Sequence, residues 1–170
     1  MYKRQLQDFD WLHFEGRNIA GLTRMLGRAR ERHPAIPVSL EVEKPRDGIE
    51  ALFGLADVLM FSADYARHHG YDDPAALLQD MSRLEPGVDM FCAWGDEGAM
   101  ARDQAGTKYR QPARVTGPVV DTLGAGDAFN AGVIAGYLDG RDMPGILRQA
   151  CELAGRKCLQ RGFSGLTAME

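Results

Sequence analysis

Short apolar runs alternate with amphipathic stretches along the first half of the chain, the pattern of strand–helix–strand units around a mainly parallel sheet. Phe9–Phe14 and Val38–Val42 read as strands. Between them Ile19, Leu22, Met25, Leu26 and Ala29 recur at helical spacing, with Arg24, Arg28, Arg30 and Arg32 on the wet side. Asp47–Leu55 predicts a short second helix and Asp57–Phe61 a third strand. Pro74–Leu84 predicts a helix with proline in its first turn, where a missing N–H costs nothing. Val88–Trp94 supplies a fourth strand, and Met100–Asp103 with Thr107–Arg110, flanking Gln104-Ala105-Gly106, predicts a hairpin at the sheet's edge.

Two helices close the chain. The first, Ala125–Leu138, carries Ala128, Ala131, Gly132, Ala135 and Gly136 on neighbouring faces. Each glycine sacrifices about 1 kcal/mol of helix propensity, so this stripe is expected to lie close against a neighbour. The second, Met143–Leu159, follows Asp139-Gly140-Arg141-Asp142 and aligns Leu147, Cys151, Ala154 and Cys158 on one face. No repeat or low-complexity tract divides the sequence, which reads as one α/β domain or part of one.

Composition narrows the possible partners. The 170 residues are 45% hydrophobic and 26% charged, enough for one sizeable core. A net charge of −4 and a pI near 5.6 leave no electrostatic footprint for nucleic acid or an anionic membrane. The longest apolar stretch, Ala51–Phe61, is broken by Gly54 and Asp57 and falls short of the ~20 residues that span a bilayer. Behind Met1-Tyr2-Lys3-Arg4-Gln5 there is no apolar core of a secretion signal, so a cytoplasmic location is expected. Three cysteines with no C-x-x-C offer neither a disulfide framework nor a zinc set. Cys151 and Cys158 stand ~10 Å apart along one helix, too far to bridge, and are expected to be buried thiols.

The sharpest chemical signal is Asp121-Thr122-Leu123-Gly124-Ala125-Gly126-Asp127, a glycine loop that opens directly into the small-residue helix after the strand-like Pro118–Val120. Amides at a helix N-terminus lack intrahelical partners and carry the positive end of the dipole, so such a loop can surround a phosphate or a transferring phosphoryl group. Asp127 taken alone could be a dipole partner and nothing more. No Gly-Lys pair occurs anywhere, which excludes a Walker loop. Phe129 stands where the dinucleotide fingerprint needs a small residue, which argues against a Rossmann dehydrogenase.

Asp121 through Gly132 resembles the C-terminal signature of the ribokinase-like sugar kinases, the phosphofructokinase-B family. Other blocks resemble its ketohexokinase (fructokinase) branch: Trp11–Asn18, Glu41–Arg46, Cys92-Ala93-Trp94 with Glu97-Gly98-Ala99, and Ala154–Cys158. The resemblance implies a three-layer α/β/α ribokinase-like fold with a mainly parallel sheet. Family kinases run to roughly twice this length, so residues 1–170 are expected to be the C-terminal, nucleotide-binding part of one sugar-kinase domain. The N-terminal part and lid would be missing, and Met1–Gln5 do not match the family. The function implied is transfer of the ATP γ-phosphate to a sugar hydroxyl, with fructose or another ketohexose as acceptor. Ribose, a nucleoside or a deoxy-keto-acid sugar are alternative acceptors, and a catalytically incomplete nucleotide-binding fragment is the competing reading.

Roles carry over residue by residue. The position of Asp127 is the family's general base, and Gly124, Ala125 and Gly126 supply amides to the developing charge, as chemistry on a weakly acidic alcohol requires. Gly95, Asp96 and Gly98 align with residues that line the nucleotide, and Cys158 with a cysteine beside the adenine. Ala125 and Phe129 belong to the same nucleotide group. A plain turn at Gly95–Gly98, a packed thiol at Cys158 and a core ring at Phe129 are the structural alternatives. Arg17 and Lys44 follow strands at the carboxyl edge and could contact substrate phosphate, or be solvated charges; Arg46 reads as solvated. ATP and Mg²⁺ are the implied cofactors, and a homodimer through the lid the implied assembly. Ser62-Ala63-Asp64-Tyr65 replaces the common Asn-x-x-Glu, leaving the metal-organising residues unknown. His68-His69 before Gly70 reads as a helix end and not a metal site.

Overall fold

A computed structural model describes residues 6–166, so the basic start Met1–Gln5 lies outside the described residues, as do residues 167–170. The first strand begins later than the apolar run predicts. Strand β1 is Leu12–Glu15, because the ladder starts where Leu12 meets Val38, and Phe9 is left exposed on the preceding turn. Helix α1 (Ile19–Arg32) is capped by Asn18, whose side chain accepts from the Gly21 amide, and buries Leu22, Leu26 and Ala29. Strand β2 (Val38–Val42) completes the first unit. The predicted helix at Asp47–Leu55 is a 3₁₀ helix over Ile49–Leu55 that starts only after Gly48 turns at φ 77°.

Strand β3 (Val58–Ser62) runs straight into α2 (Ala63–His68), with Ser62 as its N-cap and His69 as its C-cap before the positive-φ Gly70. The paired histidines therefore end a helix. Helix α3 (Pro74–Leu84), capped by Asp73, leads to β4 (Asp89–Ala93). The hairpin forms as predicted from β5 (Ala99–Arg102) and β6 (Lys108–Gln111). Pro118–Val120 is not a strand: the Val120 amide donates to the Cys158 carbonyl at 2.7 Å, so this segment is tied to a helix end. The closing helices are α4 (Ala125–Leu138) and α5 (Met143–Cys158).

The six strands lie in chain order, β1 to β4 parallel and β5 and β6 antiparallel at one edge. Alternate residues feed two cores. Leu40, Leu59, Phe61, Met90 and Cys92 face α1, the 3₁₀ helix, α2 and α3. Val58, Met60, Phe91, Ala99 and Ala101 face α4 and α5. The stripe of small residues on α4 makes the close approach expected of it, since a Cβ on Gly132 would stand 2.6 Å from the Ala150 Cα, and one on Gly136 would press on Ile146. Under the second core the Tyr137 hydroxyl donates to Asp89 at 2.7 Å and the Gln104 amide donates to the same carboxylate at 2.9 Å. Burial nevertheless pushes the Asp89 carboxyl above its ordinary pKa.

Candidate active site

The carboxyl ends of the parallel strands and the N-terminus of α4 converge on one cavity of about 780 Å³. This is where open α/β sheets collect ligands. Gly124 adopts φ 83° at the entrance to α4, and a Cβ there would also collide with the Phe163 ring at 2.3 Å. Only glycine fits on both counts. Beyond it the helix leaves its first amides unpaired: those of Gly124, Gly126 and Asp127 have no acceptor among the described residues. Ala125 differs from the expectation, because its amide closes the turn by donating to the Thr122 carbonyl at 3.1 Å. The space around Gly126 is open, with nothing within 4 Å of where a Cβ would be. Asp127 is exposed on the same rim.

The structure brings most of the nominated residues together. Gly124, Ala125, Gly126, Asp127 and Phe129 line the cavity from α4, and Gly95, Asp96 and Gly98 line it from the turn after β4. Cys151, Ala154, Gly155 and Cys158 line it from α5, which is the face that helical spacing predicts. Cys151 is buried as expected, and that burial pushes its thiol up to about 11, whereas Cys158 is half-buried at the cavity wall. Phe129 is buried and packs in the second core besides touching the cavity. Arg17 reaches the cavity, but its guanidinium is paired with Glu15. Lys44 is not among the lining residues and stands 3.7 Å from Glu43.

Gly98 serves a purpose other than ligand approach. At φ 100°, its missing side chain makes room for the chain's own backbone, with a Cβ there falling 2.1 Å from the Gln111 carbonyl oxygen. Gly155 admits the same segment from the opposite side, where a Cβ would lie 2.0 Å from the Arg114 carbonyl oxygen. Residues 111–114 are thus clasped between the turn after β4 and α5, and Ala113, Arg114 and Val115 form part of the cavity wall.

Several contributors have no role in the sequence-based expectations. Glu15 and Glu41, at the carboxyl ends of their strands, and Glu43 just beyond β2 all line the cavity. With Asp64, Asp96 and Asp127 they set six carboxylates against the two guanidiniums of Arg17 and Arg114. Burial, with the like charges of Glu15, Asp127 and Glu43, raises the Glu41 carboxyl above its usual value, while a hydrogen bond from buried Asn130 partly opposes the rise. Glu15 and Glu41 share a face through the β1–β2 register, which pairs them directly. Alternation along a strand end is the signal that could have found them.

Lys157 was equally invisible in the sequence, sitting between Arg156 and Cys158 on a helix end. Its side chain is fully buried, and its ammonium donates to the Asp121 carbonyl at 3.0 Å, the Asp121 carboxylate at 3.1 Å and the Gln160 carbonyl at 3.2 Å. The Leu123 amide also donates to Asp121, at 3.0 Å. These two donors hold the Asp121 carboxyl below the ordinary aspartate range. A second groove of about 550 Å³ between β6 and α5, lined by Lys108, Arg110, Arg114 and Arg148, contains none of the nominated residues.

Comparison with known proteins gives the family and the fold. The pfkB family carbohydrate kinase profile matches residues 3–167, so Lys3–Gln5, expected to lie outside the resemblance, fall within it. The chain is 40% identical over 171 residues to ketohexokinase of Mus musculus, covering 96% of this chain and 57% of that protein. Among solved structures, a PfkB protein from Polaromonas sp. JS666 superposes with a TM-score of 0.78 at 22% identity, covering 99% of this chain and 60% of that one. Arabidopsis thaliana ribokinase complexed with ribose and ATP gives 0.77 at 20% identity, covering 95% and 55%. At such identities the structural likeness speaks for the ribokinase-like fold alone. The chain spans a little over half the length of these relatives.

Proposed function

The chain belongs to the pfkB family of carbohydrate kinases, and from that premise we propose that it is the C-terminal, nucleotide-binding part of a kinase that moves the γ-phosphate of ATP to a hydroxyl of a ketohexose such as fructose. The observation that carries this reading is the meeting of unpaired amides and the Asp127 carboxylate at the open N-terminus of α4, on the rim of one cavity. In the proposed reaction the Gly126 and Asp127 amides, with the helix dipole behind them, face the charge that grows on the transferring phosphoryl group. Asp127 takes the proton of the attacking hydroxyl, which is too weak an acid to ionise beforehand. The acceptor oxygen then bonds to phosphorus as the bond to the bridging oxygen of ADP breaks. Along the other arm of the cavity, the backbone of Gly95 and the half-buried Cys158 flank the space for the nucleoside.

Among the described residues no three His, Cys, Asp or Glu side chains gather closely enough to hold a metal ion by themselves. A triphosphate facing six carboxylates and only two guanidiniums needs further counter-charge, and Mg²⁺ entering with it would be held by phosphate oxygens and water with at most one or two of these carboxylates. When bound, Mg²⁺ supplies neutralisation of phosphate charge. The ketohexose assignment draws on the 40% identity to mouse ketohexokinase over nearly the whole chain.

The test is coupled ADP release with fructose, ribose and adenosine, using the gene product that carries this chain together with any coding sequence upstream of it. Fructose turnover is expected, and Asp127→Asn should reduce kcat by ~10²–10⁴-fold while leaving ATP binding intact by calorimetry. A preference for ribose or adenosine would overturn the acceptor, and wild-type-like kcat in the Asn variant would return Asp127 to a dipole partner. Absence of ATP binding would overturn the kinase reading itself.

A further inference from the structure

A lysine is almost never fully buried without partners, because removing an ammonium from water costs several kcal/mol. Lys157 has a partner for each of its three N–H donors, and all three are oxygens: the Asp121 carbonyl, the Asp121 carboxylate and the Gln160 carbonyl. These acceptors belong to two segments, the lead-in to the glycine loop and the chain just past α5. Asp121 is three residues upstream of Gly124, where the glycine loop enters α4, and Gln160 lies just past the end of α5. Around this point the Val120 and Asp121 amides both donate to the Cys158 carbonyl, at 2.7 and 3.3 Å. The Phe163 ring, 5.8 Å from the ammonium, packs on Gly124. The buried ammonium and the Cys158 carbonyl thus together tie the lead-in of the loop to α5, and of the two only the ammonium also reaches the Asp121 side chain.

We infer that Lys157 is a positioning residue for phosphoryl transfer, its ammonium clamping Asp121 so that the amides of Gly126 and Asp127 and the Asp127 carboxylate are held in fixed register with the reacting groups. The inference rests on the kinase reading. Lys157 does not line the cavity and would touch neither ATP nor sugar. Its effect passes through the peptide planes between Asp121 and Gly124, and a displacement of about 1 Å in such a constellation can cost on the order of 10²-fold in rate.

Two variants test it in the gene product that carries this chain. In Lys157→Met, which keeps an unbranched apolar stem and removes the charge and its donors, amide hydrogen exchange should accelerate at Val120, Asp121 and Leu123 while Val133 and Ala150 between α4 and α5 stay protected. In Lys157→Ala, kcat should fall by on the order of 10²-fold with the KM for ATP little changed. Propylammonium should restore it saturably, and tetramethylammonium, which has no N–H to donate, should not. Unchanged exchange at the three loop amides overturns the clamp. A kcat close to wild type, or a loss that propylammonium does not rescue, overturns its role in positioning. If the wild-type protein phosphorylates no sugar, the kinase reading fails, while the exchange experiment still decides whether the clamp exists.

Discussion

Replacing Gly155 by alanine tests the idea that residues 111–114 are clasped against α5 at the end of the cavity proposed for the nucleotide. A Cβ at this position would stand 2.0 Å from the Arg114 carbonyl oxygen and 2.7 Å from its carbon, whereas real Cβ contacts essentially never fall under 3.0 Å. The two backbones must therefore part by about 1 Å, and neither contact is with a flexible side-chain end that could swing away. Overfilling of this kind costs about 1–3 kcal/mol. Against it stands a helix-propensity gain of about 1 kcal/mol for alanine over glycine. Gly27 in α1 isolates that gain, since nothing lies within 4 Å of its would-be Cβ. Gly27→Ala should raise the unfolding free energy by about 1 kcal/mol, and Gly155→Ala should fall about 1–3 kcal/mol below that variant. For a domain of this size the difference is about 2–4 °C in Tm per kcal/mol, readable by calorimetry on the two variants side by side. Gly155→Ala should also weaken ATP, because Arg114 and Val115 belong to the cavity wall. Equal Tm values for the two variants would refute the clasp.

Cys158→Trp should raise the Kd for ATP by about 5–150-fold, the equivalent of 1–3 kcal/mol of overfilling; unchanged binding by calorimetry would remove Cys158 from the nucleotide arm. Tyr137→Phe takes a donor from the buried Asp89 carboxylate, so urea denaturation should show a loss of about 1–3 kcal/mol, and an unchanged midpoint would refute the pairing. Glu41→Gln addresses pH. Burial raises the folded-state pKa of Glu41 above its usual 4.5, so its contribution favours folding below that usual value and is lost as pH rises through the raised one. The Gln variant should match the wild type near pH 4 and exceed it in Tm at pH 7; the reverse order would show that Glu41 is stabilised as a carboxylate.

Local chemistry in the sequence made the glycine entrance to α4 legible, since Gly124-Ala125-Gly126-Asp127 at a helix start leaves open amides on the cavity rim. The closing helices and the hairpin were legible from small-residue spacing and turn residues. What escaped depended on contacts distant in the chain. Phe9 is apolar enough for a strand, but the ladder partner for β1 begins at Val38 opposite Leu12. Val119 and Val120 have strand-like character, yet the Val120 amide goes to the end of α5. Gly98 carries no sequence mark that its neighbour is Gln111 and not a ligand. Lys157 was the least accessible, because a lysine beside an arginine at a helix end ordinarily reads as solvated, and its acceptor Asp121 lies 36 residues away.

The sheet's chain-order arrangement has a kinetic consequence. Each strand pairs with the one synthesised just before it, so β1 to β6 can accrete as the polypeptide emerges, each pairing closing a short loop. The second face cannot be covered on that schedule. Val58, Met60 and Phe91 wait for α4 and α5, whose residues come last, and until those helices arrive a nascent chain carries an apolar sheet surface open to other chains. Ribosomal pausing or truncation between Gln111 and Ala125 should therefore be the most aggregation-prone moment of synthesis, and chaperone crosslinking to stalled chains should peak in that interval.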